Sequence, residues 1–309
     1  MKKKILAVAI AAIMLVTAIA SFSLAYMTDT DEQTNTMTVG KVDIEQLEYE
    51  RVLADSNNDG IMEWVSTEKT DDYGYTPDQL QEFTQDKPLY PVVCLETLGK
   101  ANEGSMKWDD RVSGHQQSWA QVGAPGSNQL FDDSCKNVVD KFVFVKNTGK
   151  SDVYVRTIIA FEQGDLTAAE IDEMIGINAN EYHWDLEEIA KDVEIKGNKY
   201  AIICFTYRGP KQNTAQGGIL TPDEVSRPSL LQVYLASKAT NDTVERIDGN
   251  DNGKYDILVL SQATQTNGFV NSTNDLQNST LALDTAFGDV TAANAAEWLA
   301  DLAEEQPAE

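Results

Sequence analysis

Histidine, cysteine and basic residues are all scarce in this chain of 309 residues, and each shortage removes a class of function. Only two histidines are present, His115 and His183. There is no His-Glu-x-x-His pair, the spacing that sets two imidazoles on one helical face for zinc with a carboxylate beside them as base. A Gly-x-Ser-x-Gly elbow, a phosphate-binding glycine loop and a dinucleotide fingerprint are also missing. Carboxylate pairs are plentiful, but 50 acidic residues supply such pairs by chance, so glycosidase chemistry does not follow from them. His183, between Tyr182 and Trp184, reads as part of a packed aromatic cluster. The residues predict a chain that is not an enzyme.

Lys and Arg together number 24, which leaves a net charge of -26. A surface this acidic repels nucleic acid and anionic membranes, whose binding needs clustered cations. The charge serves solubility outside a cell on the plainer reading, and cation binding or contact with a basic partner on the sharper one. Cysteine is both rare and odd in number: Cys94, Cys135 and Cys204. A dense disulfide framework is therefore excluded, and stability must come from core packing. Cys94 and Cys135 bracket a loop-rich stretch, which leaves one bridge open between them. Cys204, inside "YAIICFTY", reads as a small buried hydrophobe. No pair has CxxC spacing.

A long hydrophobic run occurs once, at the N-terminus. Lys2, Lys3 and Lys4 precede an apolar stretch from Ile5 to Ala20, and Ser23-Leu24-Ala25 sets small residues where signal peptidase reads. The expected cut is between Ala25 and Tyr26, so residues 1–25 form a signal peptide and 26–309 the secreted domain. The run is somewhat short of the roughly 20 residues a spanning helix needs, with an uncleaved anchor as the alternative. Losing the three lysines takes the net charge from -26 to -29. Contact with a membrane is expected only before processing. The C-terminal "ADLAEEQPAE" carries no apolar tail and no sortase-type motif, so covalent wall attachment is not expected.

Along the mature chain, apolar residues recur at the two-residue spacing of strands. Val153, Val155, Ile159 and Phe161 share one face of "DVYVRTIIAFE", while "FVFVKN" is apolar from Phe142 to Val145 and should be buried on both faces. Asn147-Thr148-Gly149-Lys150 between them has hairpin-turn chemistry, and Gly197-Asn198 punctuates a second hairpin in "VEIKGNKYAIICFTY". With "SLLQVYLA" and "YDILVLSQA" these make at least six strands, predicting a mainly β, antiparallel sandwich. Helices enter as short insertions. Thr167-Ala168-Ala169-Glu170 is a capping box for a helix through about Ile175. Thr221-Pro222-Asp223-Glu224 and Thr76-Pro77-Asp78 have the look of further helix starts, and 291–303 predicts an amphipathic C-terminal helix presenting Trp298, Leu299 and Leu302. Residues 100–138 read as a loop-rich insertion.

Two segments carry candidate chemistry. Asp55, Asn57, Asp59 and Glu63, and again Asp248, Asn250, Asn252 and Asp256, place oxygen ligands at positions 1, 3, 5 and 9 of loops with glycine at position 6. Such loops wrap a hard cation, calcium being the implied one, although position 12 holds Ser66 or Val259 instead of the bidentate Glu of an EF-hand. With so few carboxylates the expected affinity is that of extracellular modules, about 10⁻⁴ to 10⁻³ M. The alternative is an Asn/Asp/Gly turn satisfied by its own backbone. In the first mature segment Met37 and Val39 are odd while Val42 and Ile44 are even, so a bulge at Gly40 is needed to restore one apolar face. This extended segment either completes its own sheet or is donated to the open edge of another copy.

The junction "SLAYMTDTDEQTNTMTVGKVDIE" resembles exported proteins processed by the SipW type of signal peptidase in Gram-positive bacteria, the group of TasA and camelysin. "KFVFVKNTGKSDVYVRTIIAFE" and "YDILVLSQATQTNGF" are similar to that family's later strands. The resemblance implies a jelly-roll form of the sandwich, a place in the extracellular or cell-surface matrix, and fibres built with copies of itself or related matrix proteins. Kinship with camelysin also implies an extracellular metalloprotease as the competing activity, and a monomeric binding module for carbohydrate or protein is the third reading.

Overall fold

A two-residue apolar period needs a second layer to cover it, and β-branched residues suit the pleat. The computed structural model describes residues 28–30, 42–54, 63–64, 80–84, 87–94, 135–180, 183–209, 218–269 and 275–303. The strands are β1 (Thr28–Thr30), β2 (Ile44–Glu50), β3 (Leu53–Ala54), β4 (Glu63–Trp64), β5 (Gln81–Glu82), β6 (Val93–Cys94), β7 (Cys135–Lys136) and β8 (Val138–Asp140). They continue as β9 (Phe142–Asn147), β10 (Val153–Glu162), β11 (Ile175–Ala179), β12 (Trp184–Ile195), β13 (Asn198–Tyr207), β14 (Ile219–Leu220), β15 (Leu230–Leu235) and β16 (Ile257–Gln265). Among the described residues four helices accompany them: α1 (Ala168–Met174), α2 (Asn241–Ile247), α3 (Asp275–Phe287) and α4 (Ala292–Leu299).

The chain is mainly β, and its strand pairings are antiparallel. The largest sheet runs β1-β16-β10-β13-β12, with β14 also on β10. Two three-stranded sheets, β5-β2-β9 and β11-β15-β8, are joined where Lys141 N–H donates to Leu231 O and Ser229 N–H donates to Val143 O. Odd residues of β10, β13 and β16 meet Val143, Val145, Val233, Val42 and Ile44 in one apolar cluster. A short polar bridge crosses it, in which Ser261 Oγ donates to Gln46 Oε1 at 2.9 Å and contacts Thr157 Oγ1 at 3.1 Å.

The opposite face of the large sheet is covered by the C-terminal helices. Ala295, Leu299 and Ala303 pack on Ile158, Ala160, Ile202 and Leu260, while Ala282 and Leu283 of α3 pack on Tyr154. Both faces of β10 are thereby buried along all 10 residues. Arg156 on β10, only 2% exposed, donates from Nε to Gln262 Oε1 (2.7 Å), from Nη1 to Asp284 Oδ1 (2.8 Å) and from Nη2 to Gly288 O (3.0 Å). Its guanidinium lies 5.7 Å from the Phe287 ring and 5.2 Å from that of Trp298. Burial lowers its pKa, and the Asp284 carboxylate opposes that shift.

Several sequence expectations are met. Residues 142–145 are buried on both faces, β12 and β13 form the hairpin over Lys196-Gly197, and Thr167 with Glu170 caps α1 in both directions. Thr291 caps α4 as expected and Leu299 is buried, but the helix expected through 303 ends at Leu299 and Leu302 beyond it is 38% exposed.

Other expectations are corrected. β9 and β10 are not a hairpin but lie in different sheets. Asn147 uses its turn chemistry to carry the chain between layers: Oδ1 accepts from Gly149 N–H, and Nδ2 donates to Ser151 O and Leu220 O. Thr221 opens only a turn. Glu224 Oε2 accepts from its N–H and hydroxyl, but Asp223 at φ 64 leaves the helical region. The last residues of the expected insertion belong to β7 and β8, and Thr76-Pro77-Asp78 falls outside the described residues.

Candidate functional site

The loop between α2 and β16 gathers the second set of predicted oxygen ligands. Asp248 is the C-cap of α2, and Ile257 opens β16. Asp248 Oδ1 accepts from Asn252 N–H (3.1 Å) and Oδ2 from Gly253 N–H (2.7 Å). Asn250 Oδ1 accepts from Asn252 N–H (3.2 Å), Asn252 Oδ1 from Lys254 N–H (2.7 Å), and Asn250 Nδ2 donates to Asp256 Oδ2 (2.9 Å). Gly253, at φ +76, supplies the bend. These hydrogen bonds close the loop on its own backbone and side chains, and Asp248 and Asp256 are the two carboxylates among the four residues expected as ligands. Among the described residues, no cluster of three or more His, Cys, Asp or Glu side chains is arranged to hold a metal ion.

This loop is held by a residue that pattern reading missed. Glu162, fully buried at the end of β10, accepts from Gly249 N–H (2.8 Å) and Asn198 Nδ2 (2.6 Å) at Oε1, and from Asp256 N–H (2.9 Å) at Oε2. Desolvation raises its pKa to about 7, against the opposing effect of those three donors. Gly249 is required by close approach, since a Cβ there would lie 2.0 Å from Asn198 Oδ1 and 2.7 Å from Gly164 Cα. The available signal was an acid closing the otherwise apolar run "VYVRTIIAFE".

The first loop is described only at its margins. Asp55, Asn57 and Asp59 lie outside the described residues, while Glu63 opens β4 and pairs with Ala54 of β3. The two ends of that loop are therefore adjacent across an antiparallel pair, whereas the second loop follows a helix.

The N-terminal segment divides into two parts. Ala25, Tyr26, Met37 and Val39 lie outside the described residues. Val42 and Ile44 are buried in the inner cluster, and Ile44 begins β2, which lies between β5 and β9. Upstream, β1 forms the rim of the large sheet in the register Thr28↔Thr264, Asp29↔Ala263 and Thr30↔Gln262. Sequence reading placed the exchangeable strand at Met37–Ile44 and did not single out this polar Thr-Asp-Thr triplet, which has no apolar period to find.

Other candidate groups are engaged in packing. His183 is buried, with Nδ1 3.0 Å from Asn180 Oδ1. Cys204 is 5% exposed, and desolvation pushes its thiol up to about 12. A cavity of about 730 Å³ beside the Asn252–Leu258 stretch brings Lys87, Lys141 and Lys254 together, but Lys87 pairs with Glu50 and Lys141 with Glu48. Among the described residues no helix is long and apolar enough to cross a membrane. The chain matches no family model, no curated protein and no solved structure in the comparisons made.

Proposed function

We propose that this protein is a secreted structural component of the extracellular or cell-surface matrix of a Gram-positive bacterium, related to the TasA and camelysin group and without catalytic activity. In this reading its two layers form a jelly-roll sandwich, and copies associate when the segment released by signal-peptide removal pairs with the sheet of a neighbour. The observation that carries the reading is β1: three polar residues form the rim of a six-stranded sheet through backbone pairing with β16. An edge strand held by so few pairings exchanges between identical edges at little net cost, and head-to-tail exchange propagates without closing. Residues from Val42 onward belong to the body of the fold, so the donated part lies upstream of them.

Electron microscopy of the mature chain starting at Tyr26, beside a chain starting at Val42, tests this reading. Fibres from the first and folded single particles from the second are expected; fibres from both would overturn it. Calcium at the two Asp/Asn loops tunes the assembly in this proposal. Adding millimolar calcium to chelator-stripped protein is expected to raise the Tm, and an unchanged Tm would remove calcium from the account.

A further inference from the structure

Residues 95–134, which overlap the loop-rich insertion expected from the sequence at 100–138, are bracketed by a strand pair. Strands β6 and β7 pair antiparallel in the register Val93↔Lys136 and Cys94↔Cys135, so the two cysteines of the intervening excursion are direct cross-strand partners at its base. Neighbours on both sides hold that register. Val92 N–H donates to Leu235 O at 2.8 Å, Pro91 bridges to Leu235, and Asn137 Nδ2 donates to Pro91 O at 2.8 Å. Directly opposed residues of an antiparallel pair have Cα atoms about 4.5 or 5.5 Å apart, according to whether the pair is hydrogen-bonded. Both spacings lie inside the roughly 4.4 to 6.8 Å range that a disulfide spans.

We infer that Cys94 and Cys135 form a disulfide that staples the base of the insertion and closes residues 95–134 into a loop. The oxidant is a small-molecule or protein disulfide. One cysteine thiolate attacks it, forming a mixed disulfide and releasing one thiolate; the second cysteine then attacks the mixed disulfide, joins the two sulfurs and releases the other. Two protons leave the protein, and the two electrons it loses reduce the oxidant to two thiols. Cys204 stands apart: buried on β13, its protonated thiol is a poor nucleophile and does not compete.

The test uses the full mature chain, reduced and then equilibrated in a buffer of reduced and oxidised glutathione. It is alkylated after denaturation and mapped by peptide mass. One alkylated cysteine, Cys204, and a Cys94 peptide joined to a Cys135 peptide are expected, with an intact mass lower by two hydrogens than the reduced chain. Three alkylated cysteines, or a link that includes Cys204, would overturn the inference. Because this readout is independent of fibre formation, it stands or falls separately from the matrix reading.

Discussion

The two ends of the chain meet the same six-stranded sheet in opposite ways. At the N-terminal end β1 forms the rim, its three polar residues pairing in register with β16. At the C-terminal end α3 and α4 cover the outer face and surround a buried guanidinium. Rim pairing is generic, since any extended backbone satisfies the same N–H and C=O groups. Face packing depends on shape and on one charge finding its partners. The first kind of contact suits exchange between copies and the second fixes a fold, which is why the proposed assembly is assigned to β1.

Arg156→Leu leaves Asp284 without its cation and removes the link to Gly288 O, so a stability loss of about 3–5 kcal/mol is expected by urea denaturation. Leu299→Ala opens a cavity under α4 and is expected to cost about 3 kcal/mol by the same measurement.

Glu162 stands at the other end of β10. Its folded pKa of about 7 exceeds the ordinary 4.5, so the folded state binds more protons than the unfolded state between those values. The stability contribution is full below pH 4.5 and lost as pH rises to 7, by up to about 3 kcal/mol. Glu162→Gln should abolish this slope, checked by urea midpoints at the two ends of the window. Starting the chain at Val42 is expected to give the smallest change, about 1 kcal/mol for the backbone pairing of β1 with β16 that it removes.

Much of the inner core was legible in sequence because burial on one face imposes a period of two, and Val153, Val155, Ile159 and Phe161 do share a cluster. The capping box at Thr167 was legible for a local reason: both its hydrogen bonds close within four residues. The crossover at Asn147 was not, because the same Asn-Thr-Gly chemistry turns a chain back onto its own sheet or across to another. The choice is made by Asp43, Ser151 and Leu220, distant in sequence or in different elements. α2 and α3, rich in Thr, Asn and Asp, lack a strong apolar stripe. Of the candidate sites, the Asx-rich turn of Asp248–Asp256 was readable, since its hydrogen bonds close within the loop. The support from Glu162 and Asn198 was not, since it depends on three segments meeting in space.

In the proposed assembly the N-terminal segment pairs with the β16 of another copy. Thr28→Cys and Thr264→Cys, placed on separate chains whose native cysteines are replaced by serine, test it directly because these positions are register partners. After mixing, assembly and mild oxidation, the account predicts covalent dimers of one chain of each kind, recovered from fibres. A cross-link that forms only when both substitutions are on one chain, within single particles, would contradict it.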